Sequence, residues 1–136
     1  MHKIIKQKVF FRASPKEVFE TLMDSKKHGR FTGKKALISR VVGGKISAYG
    51  GYIEGYNLTL VKNKTIVQAW RGADWPKGHW SIASFELAKY GASTKLNFTH
   101  VNVPDKHIKD ITEGWKSAYW EKMQKMFSLH TPRAKK

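Results

Sequence analysis

The chain has 136 residues, 40% of them hydrophobic, no cysteine, and a formal net charge of +16. That length suits one domain, which can fold without a covalent staple. The missing cysteine excludes a disulfide framework and a thiolate metal site, in keeping with a reducing compartment. The start, Met1 to Lys6, lacks the apolar core of a signal peptide. No apolar run approaches the ~18 residues of a membrane span. A cytoplasmic setting without membrane contact is expected.

Lys and Arg number 26 against 10 Asp and Glu. The cations come singly or in pairs, as at Lys26-Lys27 and Lys34-Lys35, never in blocks of five. This pattern reads first as a solvated surface. It also suits an acidic protein partner, and it attracts nucleic acid only through non-specific charge.

In chain order, Lys3 to Arg12 reads as a strand, with Ile5, Gln7, Val9 and Phe11 on one face. Ser14-Pro15-Lys16-Glu17 predicts a helix start with a capping box and proline in the first turn. Asp24-Ser25 predicts a second short helix towards Phe31, with Gly29 near its end. From residue 36 to 103 the period changes to two, with glycine punctuation. Strands are predicted at 37–41, 46–49, 52–61, 66–71, 79–87 and 94–103. In the third of these, Tyr56, Leu58 and Leu60 are expected to share a side. Short loops between short strands favour an antiparallel meander.

Pro104-Asp105 opens a helix predicted to reach about residue 129, with Asp105 as its cap. Its apolar stripe is Ile108, Ile111, Trp115, Ala118, Tyr119, Met123 and Met126. Gly114 inside it costs ~1 kcal/mol against alanine, which suggests close packing or a bend. Only this helix is long enough to cover the concave face of a curved sheet. The expected fold is α+β, of helix-grip type. A curved antiparallel sheet wraps around a long C-terminal helix, and two short helices follow the first strand. One domain spans 1–130 and a basic tail 131–136.

Several segments then suggest a family. They are Val42 to Gly55 (VGGKISAYGGYIEG), Asn63 to Arg71 (NKTIVQAWR), Trp75 to Trp80 (WPKGHW), Val103-Pro104, and Glu113 to Trp120 (EGWKSAYW). In this order the chain, from about Phe11 to Phe127, closely resembles the C-terminal domain of heat-shock protein 90 ATPase activators. These lie within the START-like (SRPBCC) superfamily. The resemblance implies a helix-grip fold and a non-enzymatic co-chaperone role, with a heat-shock protein 90 family chaperone as partner. The two-domain activators also carry an N-terminal domain with an Asn-Asn-Trp-His-Trp type motif, and this sequence contains nothing of that kind.

The residues by themselves offer little chemistry. Six histidines, His2, His28, His79, His100, His107 and His130, show no i, i+4 pair. No metal and no cofactor are called for. The acids are dispersed, and neither a nucleophile elbow nor a phosphate loop is present, so catalysis is not expected. His100 shares a strand face with Leu96 and Phe98. It reads as a hydrogen-bonded core histidine or as a polar contact in an apolar cavity. If that cavity is open, Trp70, Trp80, Phe98, His100, Trp115 and Tyr119 would line it and hold a small hydrophobic ligand. The alternative is that these residues fill the core. Trp75, in a loop, and Trp120, off the helical stripe, are either exposed anchors for a partner or packed. Lys45, Tyr49, Lys109 and Lys116 complete the candidate partner-binding set.

Overall fold

The computed structural model describes residues 3–130, with side chains described as far as Ser128. The predicted basic tail, Met1, His2 and the side chain of His130 lie outside the described residues. Seven strands form one antiparallel sheet: β1 (Ile4–Phe11), β2 (Leu37–Ile38), β3 (Lys45–Ala48), β4 (Ile53–Val61), β5 (Thr65–Gly72), β6 (Ser81–Tyr90) and β7 (Ser93–Val101). Their order across the sheet is β1-β7-β6-β5-β4-β3-β2. Strands β2 to β7 form a meander. Two helices, α1 (Pro15–Met23) and α2 (Ser25–Thr32), carry the chain from β1 at one edge to β2 at the other.

The capping box of α1 is present: Ser14 Oγ accepts from Glu17 N at 3.2 Å, and Ser14 N donates to Glu17 Oε1 at 2.9 Å. Asp24 caps α2 through Lys27 N at 3.0 Å. Helix α2 ends at Thr32, within a residue of the expected end near Phe31. It runs through Gly29 and is stopped by Gly33, which adopts φ 77°. Gly29 serves another purpose, since a side chain there would press on the Lys34 carbonyl oxygen at 3.0 Å.

Burial alternates along the central strands. On β7, Thr94, Leu96, Phe98 and His100 are buried, while Lys95, Thr99 and Val101 are partly exposed and Asn97 is exposed. Strand β4 breaks the alternation. A bulge between Asn57 and Thr59 shifts the register, so Leu58 stays outside with Tyr56 while Leu60 turns towards the core. This corrects the expected grouping of Tyr56, Leu58 and Leu60.

The C-terminal helix is continuous but not uniform. It comprises α3 (Ile108–Gly114), a π-helical turn (Trp115–Trp120) and α4 (Glu121–His130). Asp105 does not cap it. A 3₁₀ turn over Asp105–His107 precedes α3, with His107 N donating to the Pro104 carbonyl at 2.8 Å. The start of the helix is thus satisfied by backbone, not by a side chain. In the wide turn, Glu121 N donates to the Lys116 carbonyl, five residues back. Residues five apart therefore stack, and the rings of Trp115 and Trp120 lie 5.4 Å apart and 17° from parallel. No helix is long and apolar enough to cross a membrane among the described residues.

Candidate functional site

Inside the grip, strand alternation sends Trp70 (β5), Ser81 (β6) and His100 (β7) to the same face, opposite Trp115 of the helix. Their polar atoms form one chain. Trp115 Nε1 lies 3.0 Å from His100 Nδ1, and His100 Nε2 lies 2.8 Å from Ser81 Oγ. Ser81 Oγ donates to the Trp70 carbonyl at 2.6 Å. An indole N–H can only donate, so His100 Nδ1 must accept. The proton then sits on Nε2 and is donated to Ser81. Both imidazole nitrogens are engaged, and burial pushes the pKa of His100 down to about 3. Of the two expected roles, His100 takes that of a satisfied core group.

A second chain closes the other side of the helix. His28 Nδ1 faces the Leu22 carbonyl at 2.9 Å and must donate to it. His28 Nε2 then accepts from the Tyr119 hydroxyl at 2.7 Å. Burial lowers the pKa of His28 and raises that of Tyr119. Beside this pair is an enclosed void of about 20 Å³, lined in part by His28, Gln68, Trp70, Trp115 and Tyr119. It has room for about one water. The interior that an apolar ligand would need is otherwise filled by aromatic rings, with Phe98 and Trp115 only 4.5 Å apart.

Trp70, Phe98, His100, Trp115 and Tyr119 therefore converge as expected. Phe98 and His100 serve as packing, while Trp70, Trp115 and Tyr119 also form part of the wall of a lateral cleft. Trp80 does not join them. Its neighbour Ser81 points inward, so alternation turns Trp80 to the outer face, where it is 37% exposed and lies 5.8 Å below the Arg71 guanidinium.

Open space lies to one side. A cleft of about 280 Å³ separates the helix from the loop after β3, with Tyr49, Tyr52, Asp110, Ile111, Gly114 and Ala118 among its walls. Tyr49 takes φ 53°, in the left-handed region that a bulky side chain seldom visits, and Gly50 and Gly51 follow with positive φ. At the rim, the Tyr52 hydroxyl donates to Asp74 Oδ1 at 2.7 Å. Burial is the main cause, with Asp74 second, that pushes the Tyr52 pKa up to about 12. The same hydrogen bond holds the Asp74 carboxyl below its usual range. Gly114 has nothing within 4 Å of where a side chain would stand, so it borders empty cleft. Close packing does not explain this glycine. Instead it marks the joint between α3 and the π turn.

The sequence model for "Activator of Hsp90 ATPase homolog 1-like protein" matches residues 12–128. The chain belongs to this family. An activator of 90 kDa heat shock protein ATPase homolog from Dictyostelium discoideum is 31% identical over 127 residues, which cover 93% of this chain and 33% of that protein. Activator homolog 1 from Homo sapiens is 27% identical over 117 residues, covering 86% and 35%. The chain thus spans about one third of the length of the curated relatives it matches. A crystal structure described as an HSP90 activator from Plasmodium falciparum superposes with a TM-score of 0.86 at 24% identity, covering 92% of this chain and 96% of that one. The helix-grip expectation holds.

On this activator-family scaffold the candidate partner residues do not form one surface. Lys45 projects from the outer face of the sheet, opposite Tyr56. Lys109 and Lys116 are exposed on the C-terminal helix, and Tyr49 is half-buried at the cleft. Trp75 and Trp120 are buried, which removes them as exposed anchors. Trp75 is stacked against His107 at 6.0 Å, next to Gly72, where any side chain would strike its indole nitrogen. The π turn swings Trp120 inward, and its indole donates to Gln7 Oε1 of β1. Neither Ser81 nor His28 was expected as an interior hydrogen-bond partner. For Ser81, the alternation that places His100 inward offered a signal. For His28, on a short helix, no sequence signal pointed to Tyr119.

Proposed function

We propose that this domain binds a heat-shock protein 90 chaperone and alters its ATP turnover by contact, with no chemistry of its own. Membership of the activator family over residues 12–128 carries the reading. The engaged nitrogens of His100 support it, since the imidazole at the centre of the fold has no atom free to act on a substrate. The test uses the purified chain with the chaperone of its host, in a pull-down and an ATPase assay. Association together with a changed turnover rate is expected. If both are absent, the reading falls.

The lateral cleft favours a second reading, a carrier or sensor of a small hydrophobic ligand. Its walls are mostly apolar, and at about 280 Å³ it approaches the lower end of small-molecule sites, roughly 300 Å³. Native mass spectrometry of the chain purified from its host should then show a bound small molecule. A spectrum holding only the bare chain removes the carrier reading and leaves the chaperone reading standing.

A further inference from the structure

The helices and the buried residues lie on one side of the sheet, and the opposite face carries apolar side chains that nothing covers among the described residues. Register makes them contiguous. Tyr56 pairs with Ala69, Ala69 with Ile82, Ile82 with Val101, and Val101 with Ile4. This row crosses five strands, about 19 Å at ~4.8 Å per strand. Tyr56 is 44% exposed, Ile82 42% and Ile4 53%. Trp80 extends the row sideways, its ring 5.9 Å from that of Tyr56. Isolated apolar residues on a surface are ordinary, but a contiguous apolar band marks an interaction site.

Charge defines the partner. The row begins at Lys45, which pairs with Tyr56, and on β1 it is followed by Lys6 and Lys8 on the same face. The carboxylates on this face are engaged: Glu54 is bound by Arg71 at 3.0 Å, and Glu86 by the Thr65 hydroxyl at 2.9 Å. We propose that the outer face of the sheet docks an acidic protein segment that sets apolar side chains among its Asp and Glu. Among the described residues, rings stand only at two corners of this face, Tyr56 with Trp80 and Phe10 with Tyr90. The row between them, Ala69, Ile82 and Val101, is aliphatic, which suits protein side chains better than a run of stacked bases. The proposal does not depend on the chaperone reading and can hold without it.

The test uses isotope-labelled whole chain, titrated with a synthetic amphipathic peptide of about twenty residues that carries leucine every third or fourth position and Asp or Glu between. Saturable shifts are expected in the amides of Tyr56, Ala69, Ile82 and Val101, and they should weaken as salt rises. Ile82→Lys, a surface change, should lower affinity roughly tenfold, the size of one lost apolar anchor. Lys45→Glu should lower it less and flatten the salt dependence. Amide spectra of the free variants report whether they fold. The proposal is overturned by absent saturation, by shifts confined to the lateral cleft, or by equal binding of a lysine-for-acid version. It is also overturned if oligo(dT) binds this face where the acidic peptide does not, or if wild type is a dimer that Ile82→Lys converts to monomer.

Discussion

At the scale of single residues, two of the buried histidines, His28 and His100, shape how the protein answers to acid. An unperturbed histidine takes up a proton near pH 6.5. Folded His100 resists protonation down to about pH 3, and His28 is depressed in the same direction. Below pH 6.5 the unfolded chain therefore binds protons that the folded chain refuses. The stability these groups confer is complete above 6.5 and falls as pH drops towards the folded values. Well inside that window the slope approaches ~1.4 kcal/mol per pH unit for each such histidine. Urea midpoints measured between pH 6.5 and 5, above most carboxylate titration, should fall accordingly. His100→Gln keeps a donor towards Ser81 but cannot titrate. It should be less stable by ~1–3 kcal/mol, because the Trp115 indole loses its acceptor, and should lose one proton's worth of slope. Midpoints that do not move over this range would contradict the lowered pKa of the folded histidines.

At the scale of elements, the C-terminal helix shows why part of the interior could not be read in advance. A 3.6-residue period correctly predicted Trp115, Tyr119 and Met123 as inward, and all three are buried. The same period placed Trp120 off the stripe. One wide turn absorbs the mismatch and brings Trp115, Trp120, Met123 and Phe127 to the sheet together. No local propensity announces such a turn, since it is set by what the sheet accepts. The β4 bulge at Leu58 is the same kind of event in a strand. By contrast, the capping box at Ser14 and Glu17 was legible because it depends on neighbours three residues apart. Gly114 gives a direct test of the helix. Its backbone is helical at φ −61° and ψ −40°, and a methyl group there meets nothing. Gly114→Ala should therefore stabilise the domain by up to ~1 kcal/mol, raising Tm by roughly 3–5 °C. A fall in Tm would show that the joint needs the glycine's freedom.

At the scale of the molecule, the antiparallel meander, the two short helices and the covering helix were all legible from period and punctuation. The place of β1 beside β7 was not legible, since no local signal joins strands so far apart in the chain. The candidate site was read less well. Five of the six expected cavity residues do converge, and three of them, Trp70, Trp115 and Tyr119, also line the lateral cleft, but composition cannot tell a lined cavity from a filled one. That depends on whether ring volumes sum to the available space, and here Phe98 and Trp115 close it. The lateral cleft arises from two irregularities, the positive-φ run at Tyr49 to Gly51 and the joint at Gly114, neither of which carries a periodic signature.

The pairing of β1 with β7 has a consequence for how the chain is made. Ile4 meets Val101, so β1 must wait until β7 has been made before it finds its neighbour. During synthesis the growing meander stands with one border unzipped, and the helix that roofs it is made only after β7. Contacts so distant in sequence are late and slow to form. Until β7 is in place, β1 and β6 each present an unpaired edge, so the closing of the sheet and its cover by the helix belong to the late part of folding.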